Sequence, residues 1–536
     1  MRRRTKYWLT GLAVLLLATL VAFIAAAILA RRFEPMLREQ AVRYLSERFH
    51  SDVELRALHI TPPKMSTLDI LLRHGRGAMV GVECLGLTLH FAGARELPPL
   101  FTIQKLNFAV DLGTITALHK NVQWVSIEGM RINIPPKGSA PQSNTPDTSG
   151  GKSSPPMDVR LEDVQIRDAL LVLIPKDSRK KALEFKIARL HLKSVGMDSP
   201  MHYDAALDIP KPPGTVASQG SFGPWVASEP GDTPLRGDYT FDHADLGVFH
   251  AIAGTLSSTG TFDGTLNAVR ARGQASVPNF RLKSVGYSLP LSTRFEALVD
   301  GTNGNTVLEP VRAKLGNTNF TTEGAVIKHE NQTQRTISLK VSMPKGDLRD
   351  LLRLAVKGTP FLEGLINLKA SIDIPPLTGP IKEKLFLEGN FELQDAKFLR
   401  STIQSQIDSL SRHGQGQPKN EEIDQVASNM KGSFRLEDQV MTFGILSFEV
   451  PGAAVAVAGT YDLENDLMDF HGTLALNARL SEMVTGWKRW VLMPVDPFFA
   501  KHGAGTFLHI KVDGSSHHPQ FGLDLHGSKR EPPPEK

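Results

Sequence analysis

The chain has 536 residues, 41% of them hydrophobic, and its 45 Gly and 35 Pro suit many short strands joined by turns better than long helices. Its net charge of +5 misleads: residues 1 to 32 hold six basic side chains and no acidic one, and without those six the 61 basic residues fall to 55 against 56 acidic. A body with no cationic surplus lacks the counterion-release drive of non-specific nucleic-acid binding, so no nucleic acid is expected as a partner. Cys84 is the only cysteine, which excludes an intramolecular disulfide and any cysteine-built zinc or iron–sulfur centre.

Residues 1–6 read as a short basic tail carrying Arg2, Arg3, Arg4 and Lys6. From Tyr7 to Ala30 there are 24 consecutive uncharged residues. As a helix they span roughly 36 Å, more than the ~30 Å hydrocarbon core of a bilayer. Residues 7–30 are therefore expected to form a transmembrane helix, with Leu9, Leu15, Leu16, Leu17, Val21, Phe23, Ile24 and Ile28 as its apolar anchor. The apolar core of a cleaved signal peptide runs only about 7 to 15 residues, which favours a retained anchor even though Ala25, Ala26, Ala27 and Ala30 are small enough for a cleavage site. The basic tail favours a cytoplasmic N-terminus and puts the bulk of the chain across the membrane.

Residues 31–50 follow with Phe33, Met36, Leu37, Ala41, Tyr44, Leu45 and Phe49 at three- and four-residue spacing, an amphipathic helix beside the membrane. At residue 51 the period changes to two. Residues 51–134 read as a first β segment, and residues 135–157, which hold no apolar residue larger than Ala or Pro before Met157, as a disordered linker. Residues 158–395 read as a central β region, in which Val164, Ile166, Leu170, Val172 and Ile174 are taken to share one parity. Ile337, Leu339 and Val341 alternate with Ser338, Lys340 and Ser342; Ile366, Leu368, Ile372 and Ile374 alternate with Asn367, Lys369 and Asp373. Leu385, Leu387, Phe391 and Leu393 repeat the pattern, as do Leu508, Ile510 and Val512 within the C-terminal region 396–536. One apolar and one polar face per strand is the mark of antiparallel sheets. Short helices are expected near Asp347–Val356, Lys397–Leu410, Glu421–Met430 and Leu480–Val491. Two weak repeats stand out: residues 127–135 resemble 166–175, and Leu192-Lys-Ser-Val-Gly196 returns at Leu282–Gly286.

Chemistry is scarce. Gly150-Gly151-Lys152-Ser153 imitates the end of a phosphate loop, but Pro146 stands where the motif needs its first Gly. His502, His509, His517, His518 and His526 lack a completing ligand set, so they read as surface histidines rather than a metal site. No H-E-x-x-H or G-x-S-x-G is present, and neither enzymatic activity nor a cofactor is expected. The one-sided strands leave two architectures open: a sandwich that buries its apolar faces, or a curved sheet whose apolar face lines a trough for acyl chains.

The C-terminal region carries a resemblance. Gly432-Ser-Phe434-Arg-Leu436-Glu-Asp438, Phe448-Glu-Val450-Pro451-Gly452-Ala453, Gly459-Thr-Tyr461-Asp-Leu463 and Phe470-His-Gly472-Thr-Leu474 occur in that order, followed by Pro494-Val-Asp496-Pro497-Phe498-Phe499, Gly503-Ala-Gly505-Thr506, Ile510-Lys-Val512-Asp513-Gly514 and Pro519-Gln-Phe521-Gly522. Together with the anchor layout, these resemble the AsmA family of bacterial envelope proteins, architectural relatives of the chorein-type bridge-like lipid transporters. The resemblance implies a mainly β fold: an N-terminal transmembrane helix, then a long, curved, mostly antiparallel β-sheet groove with a few short capping helices. It further implies an inner-membrane-anchored periplasmic protein whose partners are membrane phospholipids, moved or balanced toward the outer membrane, or an outer-membrane or other envelope protein whose assembly it supports.

Overall fold

The computed structural model describes residues 51–65, 77–91, 98–111, 119–134, 158–175, 181–196, 199–226, 229–284, 287–328, 335–356, 358–376, 384–484, 492–500, 505–515 and 518–524, with Leu72 and several positions between 35 and 46. The expected anchor at 7–30 and linker at 135–157 lie outside the described residues. Among the described residues no helix is long and apolar enough to cross a membrane. The chain divides into two compact units, residues 1–242 and 243–536, so a division falls inside the stretch read as one central region. Both units are mainly β, and both are open sheets of neighbouring strands.

The first unit runs through β1 (Ser51–Thr61), β2 (Met79–Phe91), β3 (Phe101–Asp111), β4 (His119–Ile134), β5 (Asp158–Leu173), β6 (Leu183–Val195), β7 (Met201–Pro210), β8 (Pro213–Phe222) and β9 (Pro234–Asp245). Each strand pairs antiparallel with the next except β4 and β5, which run parallel. Its core joins Val53, Leu55 and Leu58 to Cys84, Leu87, Leu89 and Ile103. The helical residues Ala41, Val42 and Leu45 pack onto that cluster, as the three- and four-residue spacing requires.

The second unit contains β10 (Ile252–Ala253), β11 (Thr255–Thr265), β12 (Ala268–Leu282), β13 (Ser288–Val299), β14 (Thr306–Leu315), β15 (Thr318–Ile327) and β16 (Thr336–Asp347). Helix α1 (Leu348–Ala355) leads to β17 (Leu362–Ile374) and β18 (Phe386–Phe398), and α2 (Ser401–Gly414) to β19 (Ser428–Glu437), β20 (Val440–Val450), β21 (Ala453–Asp462) and β22 (Leu467–Leu476). The short α3 (Asp496–Phe499) precedes β23 (Thr506–Gly514) and the five-residue β24 (Pro519–Leu523). From β11 to β24 every neighbouring pair is antiparallel.

Three of the expected helices have counterparts. α1 falls within Asp347–Val356, α2 begins four residues into Lys397–Leu410, and Leu480–Met483 makes one 3₁₀ turn. Glu421–Met430 is not helical, which corrects the sequence reading. The Val426 N–H is taken by the Asp408 carboxylate, Gln425 has a left-handed backbone (φ 49°), and Ser428 to Met430 are drawn into β19, where Ser428 opposes Ala396 and Met430 opposes Leu393.

α1 is capped by Asp347, whose side chain accepts the Arg349 N–H, and is pinned by Asp350, a buried carboxylate that accepts the Asn317 N–H and the Thr318 hydroxyl of the β14–β15 turn. α2 is held by Asp408, which accepts from the Val426 N–H and the Gln404 amide. Both helices therefore depend on hydrogen bonds to a buried acid as well as on apolar packing.

One device recurs along the strands: a residue with left-handed φ shifts the side-chain alternation by one. In β2, Val82 and Cys84 face the first core, Gly86 has φ 64°, and Leu87 and Leu89 then take over the same face. In β4, Ile127 and Met130 flank Gly129 (φ 64°). In β18, Leu393 and Ala396 flank Asp395 (φ 53°), whose N–H is capped by the Asn429 side chain. Such bulges re-aim a strand without ending it.

Candidate functional site

Register lines in the second unit carry one apolar face from strand to strand. Met343 opposes Leu368, which opposes Phe391; Leu339 opposes Ile372, then Leu387, then Leu436. Ile366 leads through Leu393, Met430, Phe448, Val455 and Leu474 to Leu508. Val341 leads through Ala370, Gly389, Phe434, Phe443, Gly459 and Phe470 to Val512. Ring contacts agree with the register, since Phe391 and Phe434 lie 6.2 Å apart and Phe443 and Phe470 5.7 Å apart. Opposed residues of an antiparallel pair share a face, so these lines make a single surface across β16–β23.

Among the described residues the surface is covered at one end. In an antiparallel meander alternate connections fall at alternate ends, and α1, α2, the 3₁₀ turn and α3 all interrupt the connections at the same end. There Met343, Leu362, Ile366, Leu393 and Ala396 are buried together with Leu348 of α1, while Leu351 and Leu352 pack onto them. Farther along, Val450, Ala453 and Leu476 are buried, with Ile407 and Leu410 of α2 against them. Leu368 and Phe391 pack on the edge of the first of these clusters and are partly exposed, and beyond them Ile337, Leu339, Val341, Ile372, Ile374 and Leu387 are partly exposed, as are Leu508, Ile510 and Val512. A facing sheet would bury such residues as a sandwich core.

Two glycines show how tightly the backbone is drawn here. A Cβ on Gly472 would lie 2.0 Å from the Ala456 carbonyl oxygen, and one on Gly459 2.1 Å from that of Asp469. No side chain fits either position, and glycine kinks with bulges are the devices that curve a sheet.

The opposite face is polar. Ser342, Lys369, Asn390 and Ser433 form one register line, and Lys340, Ser371, Glu388, Arg435 and Thr442 the next. Arg435 pairs with Glu388 at 3.3 Å and lies 5.8 Å over the Phe386 ring. These side chains wall a cleft of about 1060 Å3, reaching from Pro310 to Gly444. The cleft and the apolar surface are thus back to back on the same strands.

The sequence-derived groove positions are distributed as follows. Those of β16, β17, β18 and β23 come together on the apolar surface, with Leu385 one residue before β18. Those of β5 do not all share a face. Val164 and Ile166 oppose Val125 and Ile127, and Ile127 packs on the first core; Leu170 and Val172 oppose Arg131 and Asn133, while Met130 keeps the core side. Asp168, with φ 54°, shifts the phase between them, which corrects the single parity read from sequence. Ile174 lies past the strand end, its N–H donating to the Ile134 carbonyl. Met441, Phe443, Phe448, Tyr461 and Phe470 belong to the apolar surface but were not among the groove positions. Alternation within β21 and β22 would have found the last two, whereas the shift between Phe443 and Leu446 hides β20.

Among the described residues no group of three or more His, Cys, Asp or Glu is placed to hold a metal ion. His509 makes an edge contact with the Phe507 ring, 5.6 Å between centroids. Comparison with family models, curated proteins and solved structures gives no match to this chain.

Proposed function

We propose that this chain is an AsmA-like, membrane-anchored, non-enzymatic carrier of phospholipids, which holds acyl chains on the apolar surface of β16–β23 and contributes to outer-membrane lipid homeostasis. The proposal includes a curved, groove-like sheet and a periplasmic body behind the expected 7–30 anchor. One observation carries it: an apolar face continuous by register over eight strands, capped at one end and partly exposed along the rest. Acyl chains need no fixed polar site, because burial alone stabilises them at about 25 cal/mol per Å2 of apolar area.

The test is to purify the body downstream of the first 32 residues from cells and extract it with organic solvent. Several phospholipid molecules per chain are expected; a lipid-free body overturns the reading. A second reading rests on the polar cleft walled by Lys340, Lys369, Glu388 and Arg435: a protein-binding surface of an envelope assembly factor. Under it, substitutions on that face abolish partner capture and the apolar face is indifferent to charge.

A further inference from the structure

The end of these strands capped by the helices and the end where β19–β22 turn differ in chemistry, and the difference gives a bound lipid a direction. At the capped end the apolar surface runs into leucines: Leu348, Leu351 and Leu352 of α1 close over Met343, Leu362 and Ile366. At the other end the same strands finish in polar turns, Asp438-Gln439 between β19 and β20 and Leu463 to Asp466 between β21 and β22. There the Tyr461 hydroxyl donates to Asp466, 2.9 Å away, and the Gln439 amide donates to Glu464. Tyr461 opposes Met441, so its ring lies on the apolar surface while its hydroxyl reaches the turn, the placement aromatic residues take where apolar meets wet.

The partly exposed width is also specific. From Leu368, beside α1, to Ile374, at the far end of β17, there are six residue steps, roughly 20 Å of strand. One leaflet of a bilayer's ~30 Å hydrocarbon core is about 15 Å thick. The strip therefore accommodates one acyl chain along its length with little to spare, and not two end to end.

We infer that phospholipids lie along the strands in one orientation, acyl termini against the α1 leucines and headgroups at the Asp438–Gln439 and Leu463–Asp466 end, with α1 setting the longest chain admitted. This rests on the lipid-carrier reading and deepens it. The reverse orientation would bring a charged headgroup against the buried Leu348, Met343, Leu362 and Ile366, at a desolvation cost.

The experiment uses the purified full chain with vesicles of phosphatidylethanolamine and phosphatidylglycerol that contain a diazirine phospholipid, labelled either at the acyl terminus or in the headgroup. After irradiation, adducts within residues 336–470 are mapped by mass spectrometry. Terminal label is expected about tenfold enriched over headgroup label at Leu352, Leu368 and Phe391, and the opposite bias is expected at Ile374, Met441 and Tyr461, tenfold corresponding to ~1.4 kcal/mol. Equal labelling at both ends, or the reversed pattern, overturns the orientation while leaving the carrier reading standing. Absence of adducts with either probe on the apolar surface overturns the carrier reading itself. In Leu352→Ala, a shorter stop should move terminal label beyond position 352 into α1, to Leu351 and Leu348; unchanged adduct positions would show that α1 does not set chain length.

Discussion

Gly129 and Asp168 stand side by side in the parallel strands β4 and β5, each one step beyond the opposed pair Glu128 and Arg167 and each with a left-handed backbone, φ 64° and φ 54°. The weak repeat of residues 127–135 and 166–175 is thus two parallel strands in register, bent at the same point. Gly adopts this conformation without strain, and Asp is among the few L-residues that tolerate it.

Gly129→Ala should cost about 1–3 kcal/mol, because it combines left-handed strain with a Cβ 2.4 Å from the Gln104 side-chain amide carbon. Asp168→Gly should be near neutral, and Asp168→Val should lose a similar 1–3 kcal/mol. Urea unfolding of the three variants checks this. Equal stability of Asp168→Val and Asp168→Gly would mean that the bend is not fixed by the backbone at this residue.

Cys84 is buried among Leu58, Leu87 and Leu106 in the first core. Burial, with a smaller contribution from the Glu83 charge, pushes its thiol pKa up to about 11. Since the thiolate is the reactive form, maleimide labelling at pH 7.5 should be at least about a hundredfold slower in the folded chain than in urea. Labelling at the unfolded rate would show that this core opens readily.

Asp408 gives a pH dependence. Burial acts to raise its pKa, but hydrogen bonds from the Val426 N–H and the Gln404 amide outweigh this and hold the carboxyl below the ordinary range. A depressed folded-state pKa contributes stability that is present above the unfolded value of about 3.9 and is lost as pH falls through the folded value. Asp408→Asn should therefore destabilise the fold by about 1–3 kcal/mol at neutral pH, with the gap to wild type closing below about pH 4. Thermal melts from pH 3 to 7 test it, and a gap independent of pH would assign the loss to shape rather than charge.

How much was legible depends on how far a strand keeps its period. In β16, β17 and β23 the alternation is unbroken from Ile337 to Met343, Ile366 to Ile374 and Leu508 to Val512, and the face follows directly from residue spacing. In β5 a single left-handed Asp168 inverts the pattern, and no residue-type signal separates that Asp from Asp163 in the same strand. α1 was legible because Asp347 supplies a cap just before an apolar three-four spacing. Glu421–Met430 failed because the Asp408 carboxylate, remote in sequence, captures the backbone that a helix would have used. The polar cleft had no sequence signal at all, since it arises from which polar residues fall side by side across strands.

The apolar surface itself is tested by charge. Leu368 and Leu387 lie on it and are partly exposed; Lys369 and Glu388 lie on the opposite face of the same strands. In Leu368→Asp or Leu387→Asp the carboxylate can still reach water, so the fold should lose no more than about 1–2 kcal/mol and the protein should remain at normal abundance. It would nevertheless place a charge in the path of the acyl chains, and bound phospholipid should fall severalfold. Lys369→Asp and Glu388→Lys serve as controls: the exposed Glu388–Arg435 pair contributes at most about 1 kcal/mol, so lipid content should not change. Were the face closed by a second layer, the same Asp would be buried without a partner at a cost of several kcal/mol, and the protein would be lost through misfolding. Measuring abundance and bound lipid together therefore separates the outcomes. Normal abundance with lost lipid supports the carrier, disappearance of the protein supports a covered core, and normal lipid content in both Asp variants would remove these strands from the lipid path.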